Sequence, residues 1–199
     1  MEKRPTCVAV LLFKEQLERS PARNNGRLPK IEHGLPPAQG GLYWIDNHGR
    51  ILQHEASLLG EQISLCRCGE TIVGTDLLEG QRRLWSWSPL DGNGRVMKTT
   101  LSRDTERVTL ISGESKQKEI VTSFWCIEEY AQGMRVSLWN AETYQEMHYE
   151  WLPELRLSDH LSGPGNYREP CAVAYQETLL LVGMTQERRF QILQFHGDD

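Results

Sequence analysis

Apolar residues along this chain recur in short runs of about five positions, separated by residues that favour tight turns. Helical periodicity is weak nearly everywhere, whereas short apolar or alternating runs bounded by Gly, Asn, Asp and Pro are typical of β-strands. The predicted strands are 6–13, 42–46, 50–54, 62–68, 71–77, 84–88, 95–101, 107–111, 119–127, 135–139, 145–151, 171–175, 178–184 and 190–195. The pattern therefore predicts an all-β protein.

The predicted strands also repeat. Four segments contain a glutamine, then a basic or glycine-rich joint, then a strand: "AQGGLYWID" (38–46), "EGQRRLWSW" (79–87), "AQGMRVSLW" (131–139) and "TQERRFQIL" (185–193). Trp85, Trp139 and Leu193 are evenly spaced along the chain. Regular recurrence of a four-stranded unit at such intervals is typical of β-propeller blades.

With these repeats the chain resembles a β-propeller of the WD-repeat type over about residues 41–195. "VSLWNAETYQEMHYEW" is similar to the third strand, turn and fourth strand of such a blade, with Asn140 in place of the usual aspartate. "LYWID" is similar to the corresponding strand of YWTD and gluconolactonase-like propellers. The resemblance implies four-stranded antiparallel blades, about three and a half to four in number. A β-sandwich or an open barrel is the alternative architecture.

Length and charge limit the function classes. The 199 residues predict a single all-β domain, 1–199, with 14–40 as a long, basic and mobile insertion between strands. A formal net charge of −5 argues against nucleic-acid binding, and the absence of a long apolar run argues against a membrane span. Five cysteines, an odd number spread thinly, favour a cytoplasmic protein over a disulfide framework.

Basic residues mark the predicted partner-binding surface. The resemblance to propellers implies that connections between second and third strands gather on one face, where partners dock. The candidate residues there and in the insertion are Arg82, Arg83, Arg135, Arg188, Arg189, Arg23 and Arg27. Such a cationic face suits an acidic partner. The alternative is that these arginines only keep exposed strand edges soluble.

The tryptophans divide into two predicted groups. Those within strands are expected to fill space between blades: Trp44, Trp85, Trp125 and Trp139. Trp87 and Trp151 lie nearer strand ends, where a half-exposed indole is able to hold a sugar or a peptide.

Candidate chemistry is sparse. Cys66 and Cys68 share one face of a strand and predict a buried thiol pair, in preference to a zinc pair completed by histidines. Gluconolactonase-like propellers hold a divalent metal through carboxylate and amide oxygens. The residues available for that role are Asp46, Asp76, Glu128 and Asn166, although no spacing singles them out. No catalytic residue, metal or cofactor is assigned, and 160–170 is interpreted as a flexible loop.

The sequence thus favours a non-enzymatic interaction or scaffold module that binds a partner protein through one loop face. The alternative is a small metal-dependent hydrolase or lactonase on the same scaffold. Segment 188–195 contains the last predicted strand and leaves its edge unpaired, with Phe190, Ile192 and Leu193 apolar. We therefore expect a homo-oligomer or a heteromeric complex, unless segment 6–13 pairs with this edge.

Overall fold

The computed structural model describes residues 8–12, 41–45, 51–55, 60–88, 91, 94–113, 123–157, 159–162, 167–175 and 178–197. These residues form seventeen β-strands and no α-helix, so the all-β prediction is confirmed. Within the same residues, no helix has the length and apolar character needed to cross a membrane. The described residues belong to two compact units, Met1–Leu59 with Ser88–Arg95, and Gly60–Trp87 with Val96–Asp199.

The described residues of the first unit form one antiparallel sheet, here called sheet 1. It holds β1 (Val8–Leu12), β2 (Gly41–Ile45) and β3 (Ile51–Glu55) in the order β1-β2-β3. The central strand β2 buries Leu42, Tyr43 and Trp44. β1 pairs antiparallel with β2, from Val8 opposite Ile45 to Leu12 opposite Gly41. The alternative in which segment 6–13 completes the last sheet stays a prediction.

The second unit contains three larger sheets. Sheet 2 holds β4 (Glu61–Cys68), β5 (Thr71–Leu78), β6 (Gln81–Trp87) and β7 (Val96–Thr100) in that order. Sheet 3 holds β8 (Arg107–Gly113), β9 (Ser123–Tyr130), β10 (Gly133–Asn140) and β11 (Glu146–Pro153), again in sequence order. Both are four-stranded antiparallel meanders, as the repeats predict.

The remaining strands are β12 (Leu155–Leu157), β13 (Asp159–Ser162), β14 (Tyr167–Pro170), β15 (Ala172–Tyr175), β16 (Thr178–Thr185) and β17 (Phe190–His196). In sheet 4, β17 pairs with one side of β16, while β12 and β15 follow one another along its other side. The strands β13 and β14 form a separate hairpin between them. The interpretation of 160–170 as a loop is therefore wrong.

Two-residue turns join the second and third strands of sheets 2 and 3. Glu79 and Gly80 both adopt positive φ, 50° and 73°, which is the conformation that a type I′ hairpin turn requires. In sheet 3, Ala131 and Gln132 form the turn, and Gly133 follows with φ 153°. A Cβ on Gly133 would lie 2.4 Å from the Leu152 carbonyl oxygen, so only glycine fits this position of the repeated "AQG".

The strand pairing corrects the alignment of the repeats. The number of residues between the starts of β5 and β9 equals the number between the starts of β6 and β10. This common spacing makes Trp87, and not Trp85, the counterpart of Trp139. The repeated feature is an aromatic residue on the third strand opposite an apolar residue on the second. The pairs are Ile72 with Trp87, Phe124 with Trp139, and Leu179 with Phe195, and all six side chains are buried.

Sheet 3 is covered on both faces. One apolar cluster joins it to sheet 2 through residues such as Val73 and Phe124, and a second joins it to sheet 4 through residues such as Trp125 and Leu181. Two covered faces explain why "FWCIEE" in β9 is buried at every position instead of alternating.

The structure confirms the expected exposure of five of the six tryptophans. The predicted burial of Trp44, Trp85, Trp125 and Trp139 is confirmed, and Trp151 is half-exposed as expected. The prediction of a half-exposed Trp87 is wrong, because this indole is fully buried opposite Ile72.

Candidate interaction surface

Arg82 is a buried residue. Its side chain is 1% exposed, so the prediction that it lies on an accessible basic face is wrong. Nη2 donates to Gln62 Oε1 at 2.6 Å, and the guanidinium also reaches the carbonyl oxygens of Gln62, Thr105 and Glu106 at 3.4 Å. Burial lowers the pKa of Arg82, while the neighbouring charge of Asp76 acts to raise it. Arg82 therefore links sheet 2 to the segment that leads into sheet 3.

Arg83 and Arg135 are paired with buried carboxylates at equivalent positions. Arg83 donates to Asp76 across β5 and β6, with Nε 2.8 Å from Oδ1. Arg135 donates to Glu128 across β9 and β10, with Nη1 2.9 Å from Oε2. Burial acts to lower the pKa of Arg135, but the hydrogen bond and charge of Glu128, together with Glu146, raise it overall. Both arginines thus take part in cross-strand ion pairs inside the repeat.

Arg188 and Arg189 lie in an exposed turn between β16 and β17. Arg188 has φ 61° and donates its amide to the Thr185 carbonyl oxygen at 2.9 Å. Arg189 forms an exposed ion pair with Glu187 at 3.1 Å. Arg23 and Arg27, with the rest of the 14–40 insertion, lie outside the described residues. A partner-binding role for the basic residues stays a prediction.

The carboxylates considered for a metal are not brought together. Asp76 and Glu128 belong to the ion pairs of two different sheets, and Asp46 and Asn166 lie outside the described residues. Within the part of the chain that the structure describes, no three His, Cys, Asp or Glu side chains are grouped so that they can hold a metal ion.

The predicted thiol pair is present. Cys66 and Cys68 are buried with their Sγ atoms 4.0 Å apart. A hydrogen bond with Cys68, followed by burial, raises the pKa of Cys66 above its ordinary value, and burial does the same for the pKa of Cys126. Buried thiols with a raised pKa, such as those of Cys66 and Cys126, contribute apolar packing rather than nucleophilic chemistry.

A groove lies between β4 and β8. It encloses about 370 Å³ and is lined by Gln62, Ile63, Ser64, Glu106, Arg107, Val108 and Thr109. Gln62 has φ 49° where β4 departs from regular pairing, and its side chain accepts the hydrogen bond from Arg82. The lining of the groove thus comes from two neighbouring sheets of one unit, and one of its residues, Gln62, is hydrogen-bonded to the buried Arg82.

The largest departure from the repeat is on sheet 4. Leu84, Val136 and Ile192 occupy equivalent third-strand positions, opposite Thr75, Ile127 and Val182 respectively. Leu84 is 0% exposed and Val136 is 1% exposed, because sheets 3 and 4 cover them, whereas Ile192 is 80% exposed. The face that is buried in sheets 2 and 3 is therefore open in sheet 4.

A second set of equivalent positions shows the same change. Arg82 and Met134 are buried, but their counterpart Phe190 is 65% exposed. The neighbouring strands add exposed side chains at Val173, Tyr175 and Leu180. We call these five residues of sheet 4 the open face: Val173, Tyr175, Leu180, Phe190 and Ile192. A shallow groove of about 340 Å³ runs across part of it.

The sequence carries a signal for this surface. "LLLVGM" in β16 is a continuous apolar run of the kind found in strands that are buried on both faces. In the structure only alternate residues of this strand are buried, beginning with Leu179 and Leu181. The strand therefore has the composition of a two-sided core strand and one uncovered side.

Comparison of the chain with protein-family models, curated proteins and solved structures finds no match to any of the three.

Proposed function

We propose that this chain is a non-enzymatic protein-interaction module that binds a partner protein through the open face of sheet 4. The observation that carries the proposal is the exposure of Phe190 and Ile192 at positions where the two preceding sheets bury their counterparts. Contiguous exposed apolar side chains mark interaction surfaces in folded proteins. Aromatic side chains such as Tyr175 and Phe190 also supply much of the binding energy at interfaces.

The architecture proposed with this function is propeller-like. Sheets 2, 3 and 4 then correspond to successive blades, and three observations support that assignment: the repeated hairpin register, the repeated aromatic pair, and the apolar clusters between successive sheets. In this arrangement each sheet offers one face to the next one, and the open face is the side of sheet 4 that such a neighbour would cover.

The basic turn extends the proposed surface. Arg188 and Arg189 directly precede Phe190, so two exposed guanidinium groups flank the apolar residues. Cations at the rim of an interface raise the association rate of an acidic partner and make that rate depend on salt. The proposal therefore retains the acidic partner that the sequence favours, with these two arginines as its contacts. It also retains the cytoplasm as compartment, where buried thiols such as those of Cys66, Cys68 and Cys126 are stable.

The test is affinity capture with matched variants, using an extract of the cells that express the chain. Phe190→Lys/Ile192→Lys places two charges on the open face, and Met97→Lys/Met147→Lys places two charges at other half-exposed positions of strands β7 and β11. The bait is tagged and isotope-labelled, so that mass spectrometry separates it from any unlabelled copy of the chain in the extract. We expect bound proteins, such a copy included, that the first variant loses and the control variant keeps. Identical captured sets for wild type and both variants would contradict the proposal.

A further inference from the structure

The open face spans three strands. Val173 lies on β15, Leu180 on β16, and Phe190 and Ile192 on β17, so the exposed rows cover two inter-strand spacings, about 10 Å. A single extended segment covers one such row. A second β-sheet covers all of these rows. Two sheets that pack face to face lie about 10 Å apart, and apolar side chains fill the space between them.

The repeat also indicates a sheet as the occupant. Sheet 3 covers the face of sheet 2 that contains Val73 and Leu84, and sheet 4 covers the face of sheet 3 that contains Trp125 and Val136. The corresponding residues of sheet 4 are Leu180 and Ile192. In sheets 2 and 3, the same side of the repeat is thus covered by the next sheet through apolar side chains.

The composition of the open face allows it to pack against the open face of a second copy of the chain. The outward-facing residues of sheet 4 are mostly apolar, and the permanent charge among them, Arg156, lies on the short strand β12 and pairs with Glu106 at 3.0 Å. Two copies brought together about a two-fold axis therefore place apolar residues against apolar residues, without like charges at the centre. The whole chain carries a formal net charge of −5, which complements the basic turn at Arg188 and Arg189.

From these observations we infer that the occupant of the open face is a second copy of this chain, packed sheet to sheet in an isologous dimer. The inference rests on the proposed function and names the partner. Ile192 and Val173 lie inside the interface, and Met147 on β11 lies outside it.

Sedimentation equilibrium of the full chain tests the inference. Wild type is expected to approach twice the 22.9 kDa mass of one chain as its concentration rises through the micromolar range. Ile192→Lys and, separately, Val173→Lys each bring two unpaired ammonium groups into the interface, one from each copy, and should raise the dissociation constant at least about a hundredfold. Met147→Lys, at a similarly exposed apolar position, should leave it within about threefold.

Thermal melting in dilute solution serves as the folding control. Because Ile192 and Val173 are exposed in a single chain, both variants are expected to melt within a few degrees of wild type when all are monomeric.

Two results would overturn the inference. The first is a wild-type chain that stays at one chain mass at every concentration. The second is a dimer that Ile192→Lys and Val173→Lys leave intact. If the chain is monomeric and Phe190→Lys/Ile192→Lys still loses captured proteins that the control keeps, the occupant is a different protein and the proposed function stands. If it is monomeric and nothing is lost, both proposals fail.

Discussion

Arg83 donates two hydrogen bonds to Asp76 across adjacent strands, from Nε at 2.8 Å and from Nη2 at 2.5 Å. The carboxylate also accepts the backbone amide of Gly60 at 2.8 Å and is fully buried. Arg135 and Glu128 repeat the pairing in the next sheet. Arg83 and Arg135, which the sequence suggests as partner contacts, therefore form ion pairs with buried carboxylates of their own hairpins.

Removal of Arg83 is expected to be costly. Arg83→Gln removes the guanidinium that pairs with the buried Asp76 carboxylate, which should lower the free energy of unfolding by about 3–5 kcal/mol. Arg189→Gln removes a largely exposed guanidinium and should change it by less than about 0.5 kcal/mol. Urea unfolding followed by tryptophan fluorescence measures both. Equal, small losses would show that the Asp76 pair is not a stabilising contact.

Trp87 and Trp151, which the sequence places in one group, should behave differently. Trp87→Ala removes a fully buried indole and should destabilise the protein by about 3–5 kcal/mol. Trp139→Ala, at the equivalent position of sheet 3, should give a loss of similar size. Trp151, which is 42% exposed, should cost clearly less when replaced by alanine. The ranking is obtained from denaturant midpoints, and a loss at Trp151 as large as at Trp87 would contradict this register of the repeats.

Gly74 makes room for an indole. A Cβ at this position would lie 2.2 Å from a ring carbon of Trp85, the residue opposite it on β6. Gly74→Ala should therefore destabilise the protein by about 1–3 kcal/mol or more, because the buried ring must move. Gly183→Ala is the matched control, since a Cβ there meets its nearest neighbour at an ordinary 3.4 Å. The same denaturation measurement decides, and a tolerated Gly74→Ala would exclude the close approach of Trp85.

The buried thiols predict a fall in stability at alkaline pH. Burial raises the pKa of Cys126 above its ordinary value of 9.0, so the folded chain retains this proton after the unfolded chain has released it. The stabilising contribution is thus complete below about pH 9 and is lost as the pH rises towards the pKa of the folded state. We expect the free energy of unfolding to fall between pH 8 and pH 10, with a smaller fall in Cys126→Ala. A fall of the same size in both proteins would exclude Cys126 as a source.

Thiol labelling gives an independent measurement of the same feature. Cys171 is partly exposed, whereas Cys66 and Cys126 are buried and hold their protons. Brief treatment of the folded chain with iodoacetamide should therefore modify Cys171 before these two. Peptide mass spectrometry reads the order, and early modification of Cys126 would contradict its burial.

The sequence by itself determined the strands and their hairpins. Short apolar runs bounded by turn residues are local properties, so the existence of β5, β6, β9 and β10 follows from short stretches of chain, although their exact bounds do not. The likeness of the repeats was visible for the same reason. The register of the repeats was not visible in the sequence. The even spacing of Trp85, Trp139 and Leu193 matches Trp85 to Trp139, and only the strand pairing shows that Trp87 is the true counterpart.

The tertiary structure alone decided which faces are covered. Alternation assigns Arg82, Met134 and Phe190 to one side of their sheets, but the burial of that side depends on whether another sheet packs against it. A neighbouring sheet buries Arg82 and Met134, whereas the side of sheet 4 that contains Phe190 is exposed. Arg82 looks like a surface charge in the sequence because its hydrogen-bond acceptors at Thr105 and Glu106 are distant along the chain, and only folding brings them to its guanidinium.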